Sequence, residues 1–358
     1  MSLKQIDSFD GYQTAEIPTY WTDLANSGHA SINTTVQRTG AGALSPAVGG
    51  VQDLNPQGNG YGNVIVGFGF YLAANPTNET AIYELTSSTT SLSTGTPAAL
   101  FIGDDFLLYL KGTGGVTATN IAVSTQSALR LDQWYYLEWI GTLGSSKHHQ
   151  LYVDGAPVFD GTVSTDPTNV QVTFLHQQIG RNGNLYDDFY FAVADSTGVT
   201  TALGDSSIFA QLPSGTGSFS QWTPVGSATN WENVAAIPFT SADYNITSTA
   251  GKIDTYTLQI ISGSGSGVNN YTPSALANGD KILAADLVQR VSSATETTSI
   301  NVEPFLDIAG STFTDTADAW NPTGTLFTPQ FTIYTTNPIA GAWTGTSINA
   351  TQWGIEHV

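Results

Sequence analysis

Residues 133–161 read QWYYLEWIGTLGSSKHHQLYVDGAPVFDG, and residues 179–193 read IGRNGNLYDDFYFAV. Extended segments here are separated by polar turns, and one turn is Asp154-Gly155. An Asp-Gly pair between alternating apolar residues is a short-range hairpin signal, because both turn positions tolerate positive φ. The stretch therefore places the first half of the chain in antiparallel β structure. Stacked sheets of that kind serve as platforms for reading sugars or for docking onto other proteins, and a fold by itself does not choose between them.

Strand-like segments continue outward on both sides. Residues 64–72 (VIVGFGFYL) alternate, with Val64, Val66, Phe68, Phe70 and Leu72 on a core face and Ile65, Gly67, Gly69 and Tyr71 on the other. Two glycines weaken a strand unless something approaches closely there, either a ligand or a crossing loop, and the loop is the simpler expectation. Residues 98–110 read as a hairpin turning at Gly103-Asp104-Asp105. Residues 134–140 are apolar on both faces apart from Glu138, which predicts a central strand covered on both sides. Residues 187–193 put Phe189, Phe191 and Val193 on one face and Asp188, Tyr190 and Ala192 on the other.

Residues 212–222 (LPSGTGSFSQW) have the Pro, Gly and Ser content of a linker. Beyond it strands recur at 255–261, 281–291, 298–308 and 325–334, with 281–291 expected to form a hairpin with the segment that follows. GSGSG at 263–267 reads as a loop. The expected fold is all-β, with two β-sandwich domains: a larger one over 1–212 and a smaller antiparallel sandwich over 213–358.

The chain has 358 residues, of which only 11% are charged, against roughly 25% in an ordinary globular protein. Net charge is −20, and the nine basic residues are scattered. Phosphate recognition needs clustered Lys and Arg, so nucleic acid and anionic lipid are excluded as expected partners. The charge is shared: 18 acids and 6 bases through Leu212, 11 and 3 from Pro213 onward. There is no cysteine, which suits production in a reducing cytosol. The start, MSLKQIDSFDGY, lacks an apolar signal core. No run of about 18 apolar residues suggests a membrane span.

Catalytic patterns are sparse. Some sandwich glycosidases carry their paired carboxyls on one strand as Glu-x-Asp-x-x-Glu, since alternate residues share a face. No such motif occurs, and neither Glu84 nor Glu138 has an acidic residue two or four positions away. The histidines are His29, His148, His149, His176 and His357, and His148-His149 falls in an expected polar turn. Asp104-Asp105 and Asp187-Asp188 could offer oxygen ligands to calcium, although the simpler reading is a turn for the first pair and backbone capping for the second. Beyond calcium no cofactor is expected. Asn-x-Ser/Thr sequons at Asn33, Asn78, Asn245 and Asn349 are near chance in so Thr-rich a chain. What remains is aromatic surface. Sugar C–H faces stack on rings, while hydroxyls pair with Asn, Asp and Gln. Tyr20, Trp21, Tyr135, Tyr136, Tyr186 and Tyr190 are the candidate glycan-binding rings, against the plainer reading that they fill cores.

On DSFDGY at 7–12, QWYYLEW at 133–139, LYVDG at 151–155, and IG at 179–180 followed by YDDFYF at 186–191, the N-terminal half resembles a concanavalin A-like, laminin-G-like jelly roll. That resemblance implies that the first and last strands pair and that the Trp-containing strand is central. On QWTPVGSATNWE at 221–232 and IAGAWTGTSINATQWG at 339–354, the whole chain resembles minor structural proteins of tailed bacteriophages. The implied function is a non-enzymatic virion surface protein, made in the host cytoplasm, such as a capsid decoration, head spike or tail-fibre subunit. Its implied partners are other virion proteins, further copies of itself as a homo-oligomer (a trimer by preference), and host surface polysaccharide. The competing expectations are a stand-alone lectin and a capsule-degrading glycoside hydrolase.

Overall fold

Alternation along nearly every long segment makes one face of each strand apolar, and two such faces bury each other. The computed structural model describes residues 2–23, 30–46, 51–53, 63–76, 79–86, 98–111, 120–124, 129–142, 148–162, 176–179, 184–193, 201–237, 239–260, 281–293, 300–322 and 324–358. His29, the Asn78 sequon and residues 263–267 lie outside them. The chain divides into two compact units, one covering Met1–Phe209, the other Ala210–Ser262 with Asn270–Val358.

The first unit contains β1 (Ser2–Asp7), β2 (Thr22–Asp23), β3 (Ser31–Asn33), β4 (Ala43–Ser45), β5 (Val51–Asp53), β6 (Asn63–Tyr71), β7 (Thr80–Thr86), β8 (Ala98–Ile102), β9 (Leu108–Lys111), β10 (Asn120–Val123), β11 (Trp134–Thr142), β12 (His148–Val153), β13 (Ala156–Thr162), β14 (His176–Ile179) and β15 (Leu185–Val193). An eight-stranded sheet runs β13-β12-β11-β6-β15-β4-β3, with β1 also on β15, and a seven-stranded sheet runs β10-β9-β8-β7-β14-β5-β2. The first and last strands therefore pair, Ile6 with Tyr190 and Asp7 with Phe189. Asp154 and Gly155 form the β12–β13 turn with φ of 49° and 75°. Phe68, Phe70, Leu137, Trp139, Phe189 and Phe191 from the larger sheet pack on Ile82, Tyr83, Leu85, Leu100 and Leu110 from the smaller. Each such buried side chain contributes roughly 1.5–3 kcal/mol. Ring packing ties the layers, with Phe68 and Tyr83 centroids 5.7 Å apart and Tyr83 and Trp139 edge-on at 6.1 Å.

The outer face of the larger sheet is also covered. Ile65, Tyr136, Ile140, Tyr190 and Ala192 form a second apolar cluster with Ala202 and Leu203. Here the two glycines of β6 find their reason. A Cβ on Gly67 would overlap the Tyr190 ring, and one on Gly69 would sit 2.7 Å from Cδ of Arg38. Arg38 comes from the segment between β3 and β4, so a crossing segment fills the space.

The second unit contains β16 (Gln211–Ser220), β17 (Thr223–Val225), β18 (Tyr244–Ile246), β19 (Lys252–Ile260), β20 (Ala285–Val291), β21 (Val302–Ile308), β22 (Ser311–Thr314), β23 (Thr328–Tyr334) and β24 (Thr351–His357), with short helices at Asn230–Val234 (here α1) and Gly345–Ala350 (α2). Its main sheet is β16-β19-β24-β21-β22, and β17-β18 and β20-β23 are two-stranded. Leu287, Val291 and Tyr334 of the β20–β23 ribbon share a core with Leu306, Trp353 and Ile355 of the main sheet.

Two expectations are corrected in this unit. The supposed linker is an edge strand: β16 pairs with β19 over ten residues of Gly- and Ser-rich sequence. Its glycines lie where a Cβ would press on Thr255 and Thr257 hydroxyls, so low side-chain volume marks close packing and not a flexible joint. Segment 281–291 pairs with β23 instead of its neighbour, Leu287 opposite Thr332 and Val291 opposite Thr328. Sequence proximity favoured the nearer partner, but burying Leu287 and Val291 on the shared core selected the distant one.

The two C-terminal signature stretches are fold determinants. Asp254 is fully buried and accepts from the amides of Gln221 and Trp222 and from Asn230 Nδ2. Thr229 and Glu232 form a capping box at the start of α1. Trp343 donates through Nε1 to the Tyr334 carbonyl and stacks on Trp353, and Thr344 caps α2.

Candidate functional site

Of the six rings expected to meet sugar, five lie in cores. Trp21, Tyr135, Tyr136, Tyr186 and Tyr190 are between 0% and 6% exposed. Trp21 donates through Nε1 to Asp7, Tyr190 donates to Glu138 at 2.5 Å, and Tyr186 packs against Phe70. A ring enclosed on both faces offers none to a pyranose, so these five are corrected to structural residues. Tyr20 is half-buried and stacked on Tyr12 at 4.4 Å.

Asp187 and Asp188 are also fully buried. A register shift in β15 and a φ of 49° at Asp188 break the alternation, so both carboxylates meet the segment at Arg38 and Thr39. Asp187 accepts from the amides of Arg38 and Thr39, at 2.8 and 3.1 Å. Asp188 is ion-paired with Arg38 and accepts from Thr39 Oγ1 and the Ile208 amide. Arg38 also pairs with Asp205, donates to the Ser206 carbonyl, and lies 4.8 Å over the Tyr136 ring. Glu138 receives the amides of Leu203 and Gly204. Residues 203–208 are thus a strap pinned across the outer face of the larger sheet by buried charge. Burial raises the carboxyls of Asp187, Asp188 and Glu138, and Asp10 beside them is pushed up to about 7, against the pull of the Ala41 and Gly42 amides.

This arrangement does not fit calcium. Each oxygen of Asp187 and Asp188 already accepts an N–H or O–H, and donors facing an oxygen repel a cation. Asp104 and Asp105 are exposed turn residues, Asp105 accepting the Leu107 amide and the Tyr109 hydroxyl. Among the described residues no group of His, Asp or Glu is arranged to hold a metal, and no helix is long and apolar enough to cross a membrane.

The histidine pair is corrected too: both residues begin β12. His148 meets Asp160 at the surface, whereas His149 is 3% exposed and accepts from Trp139 Nε1 through Nδ1. Burial, with help from His148, lowers His149 to about 4. Its folded value lies below the unfolded value of about 6.5, so its stabilising effect is present above pH 6.5 and is lost as pH falls through 4. We expect His149→Gln to remove up to about 3 kcal/mol of the acid-induced loss between those limits. Denaturant midpoints of both proteins across that range check this, and identical pH slopes refute it.

The exposed aromatic platform lies at a residue not singled out from the sequence. Trp134 and Tyr71 are cross-strand partners on the outer face of the larger sheet, beyond the strap. Both are half-buried, with centroids 5.4 Å apart and planes at 50°. Asp132 is exposed and accepts the Tyr71 hydroxyl at 3.2 Å; Arg130 and Gln133 are exposed beside it. Burial and then Asp132 raise the Tyr71 phenol. The arrangement pairs apolar ring surface with a carboxylate and an amide. Trp134 opens the segment read as apolar on both faces, and its place at a strand end is the signal that could have found it.

A second constellation lies in the other unit. Glu303 and Glu356 are direct cross-strand partners. Glu356 accepts from Thr314, while burial, Glu356 and Asp315 raise the Glu303 carboxyl. A search for paired acids along one strand misses a pair split between two.

No protein-family model matches the chain, and no curated protein sequence matches it. Solved structures similar to it include sheep galectin-11 in complex with glycerol (12% identity, 40% of this chain and 97% of that one, TM-score 0.30). They also include an endo-β-1,4-glucuronan lyase from the fungus Trichoderma reesei (14%, 47% and 89%, TM-score 0.32). A third is Trypanosoma rangeli sialidase with sialic acid (13%, 47% and 28%, TM-score 0.33). The expectation of a non-enzymatic chain is corrected on this comparison: the similar structures include a lyase and a sialidase as well as a lectin. At these identities and scores no activity carries over.

Proposed function

We propose that this chain is a carbohydrate-contacting surface protein, and that its first unit meets sugar at Tyr71 and Trp134. The observation that carries the reading is the half-exposed ring pair beside Asp132 at the end of a strand pair, β6 and β11, whose other large rings are enclosed. Tyr and Trp suit such sites because each has an apolar body and a polar edge. The setting we assign is the exterior of a tailed-bacteriophage virion. It is supported by the resemblance at 221–232 and 339–354, the scarcity of cations and the two β units.

A glycan array probed with the wild type and with Trp134→Ala tests the contact. The wild type should retain a defined subset of polysaccharides. Losing the apolar face of one ring should cut that retention several-fold. An array with no retained glycan, or equal retention by the variant, contradicts the reading.

Hydrolysis of the same polysaccharide is the second reading, favoured by the Glu303–Glu356 pair. Facing cross-strand positions put the two Cβ atoms about 5 Å apart, so both carboxyls leave the same face of the sheet, as a paired-carboxyl mechanism needs. Chain shortening by the wild type and none by Glu303→Gln would support it.

A further inference from the structure

The Tyr71–Trp134 platform carries a fixed charge. Asp132 is exposed, stands two positions before Trp134, and has φ of 56°. Residues other than glycine rarely adopt that conformation, although Asp and Asn tolerate it. The Asp132 amide donates to the Leu72 carbonyl at 3.0 Å, and its carboxylate accepts the Tyr71 hydroxyl at 3.2 Å. Two bonds to neighbouring residues at the end of β6 therefore hold the carboxylate against the ring.

We propose that Asp132 sets the ligand class of this site: it admits sugars that are uncharged and donate hydroxyls, and it turns away sugars bearing carboxylate or sulfate. The inference rests on the reading that Tyr71 and Trp134 meet sugar.

The hydrogen-bonding roles point the same way. An ionised carboxylate only accepts, so its second oxygen calls for a donor from the ligand. The Tyr71 phenol gives its one proton to Asp132, and burial followed by Asp132 keeps that proton on by raising the phenol. The phenol oxygen is then an acceptor as well. A pyranose hydroxyl donates to either oxygen. A uronate or sulfate group brings only acceptors, and it would set a second negative charge beside the first. Arg130 is exposed two positions earlier, but Asp132 is the charge that Tyr71 fixes at a ring. At longer range a net charge of −20 also repels polyanions. Salt separates the two effects, because it screens distant charges most.

Retention on immobilised amylose, laminarin, mannan and galactan tests it, each beside the same polymer with its primary hydroxyls oxidised to carboxylates. The wild type should hold at least one neutral polymer in a Trp134-dependent way and bind the oxidised form about tenfold or more weakly. Raised salt should leave much of that gap in place. Asp132→Asn suits the turn and keeps an acceptor for Tyr71, and it should narrow the gap to about threefold or less. Asp132→Gly, which also suits the turn, takes its place if thermal melting shows the Asn variant unfolded. An oxidised polymer held as well as its neutral parent through Trp134, a gap that removing the Asp132 charge leaves unchanged, or a gap that raised salt abolishes overturns the inference and leaves the sugar reading standing. No retention of any polymer, or retention indifferent to Trp134→Ala, overturns both.

Discussion

Arg38→Met should lower the stability of the N-terminal unit by about 3–5 kcal/mol, the usual result of stripping one partner from a buried ion pair. The variant keeps an apolar stem near Tyr136 and removes only the guanidinium. Asp188 is then left fully buried without its cation, beside Asp187 and Asp10, which are already raised by burial and by the Asp188 charge. The strap also loses the bonds that Arg38 makes to Asp205 and to the Ser206 carbonyl. Amide exchange should therefore quicken first at 203–208, ahead of β6 and β11. Denaturant titration measures the total. A loss under about 1 kcal/mol, the level of a surface ion pair, contradicts the assignment of Arg38 as the pin.

Asp254→Ala should have a comparable effect on the C-terminal unit, again about 3–5 kcal/mol. The carboxylate gathers the Gln221 amide at 2.8 Å, the Trp222 amide at 3.0 Å, Asn230 Nδ2 at 2.6 Å and the Tyr256 hydroxyl at 3.2 Å. Ala removes that acceptor, at about 1–3 kcal/mol for each buried donor that finds no other partner, while the Gln221 amide keeps the Ile253 carbonyl at 3.1 Å. Asn230 and Asn245 extend the network to Tyr256, so the loss spreads to α1 and β18. Asp254→Asn keeps one acceptor oxygen and should fall between. Unfolding of the purified variants, followed by tryptophan emission, separates the cases; an Ala variant as stable as the wild type refutes the network's role.

Local pattern was enough to read the inner face of the first sandwich. Val64, Val66, Phe68 and Phe70 alternate, and all four are in the core. The outer face was not legible, because its cover comes from far away: Arg38 and Asp187 are 149 residues apart. Hence Tyr136 and Tyr190, which the alternation puts on a potentially open face, lie under the strap, while Trp134 at the strand end is left half-exposed. The bulge at Asp188 added a second failure, since strict alternation cannot bring two consecutive carboxylates to one side. In the C-terminal half the strands were legible and one partner was not. The choice of β23 over β21 for β20 depends on which face meets Trp353 and Leu306, a fact of packing. Composition misled once: the glycines and serines of 212–222 look like a tether and form a close-packed edge strand.

The contact with sugar can be read at the ring itself. Titrating the protein with a glycan retained on the array, while following the indole N–H resonances by heteronuclear NMR, separates Trp134 from the enclosed Trp21 and Trp139. The account predicts a saturable shift at Trp134 with those two unmoved. Saturable binding that leaves the Trp134 resonance in place would contradict it.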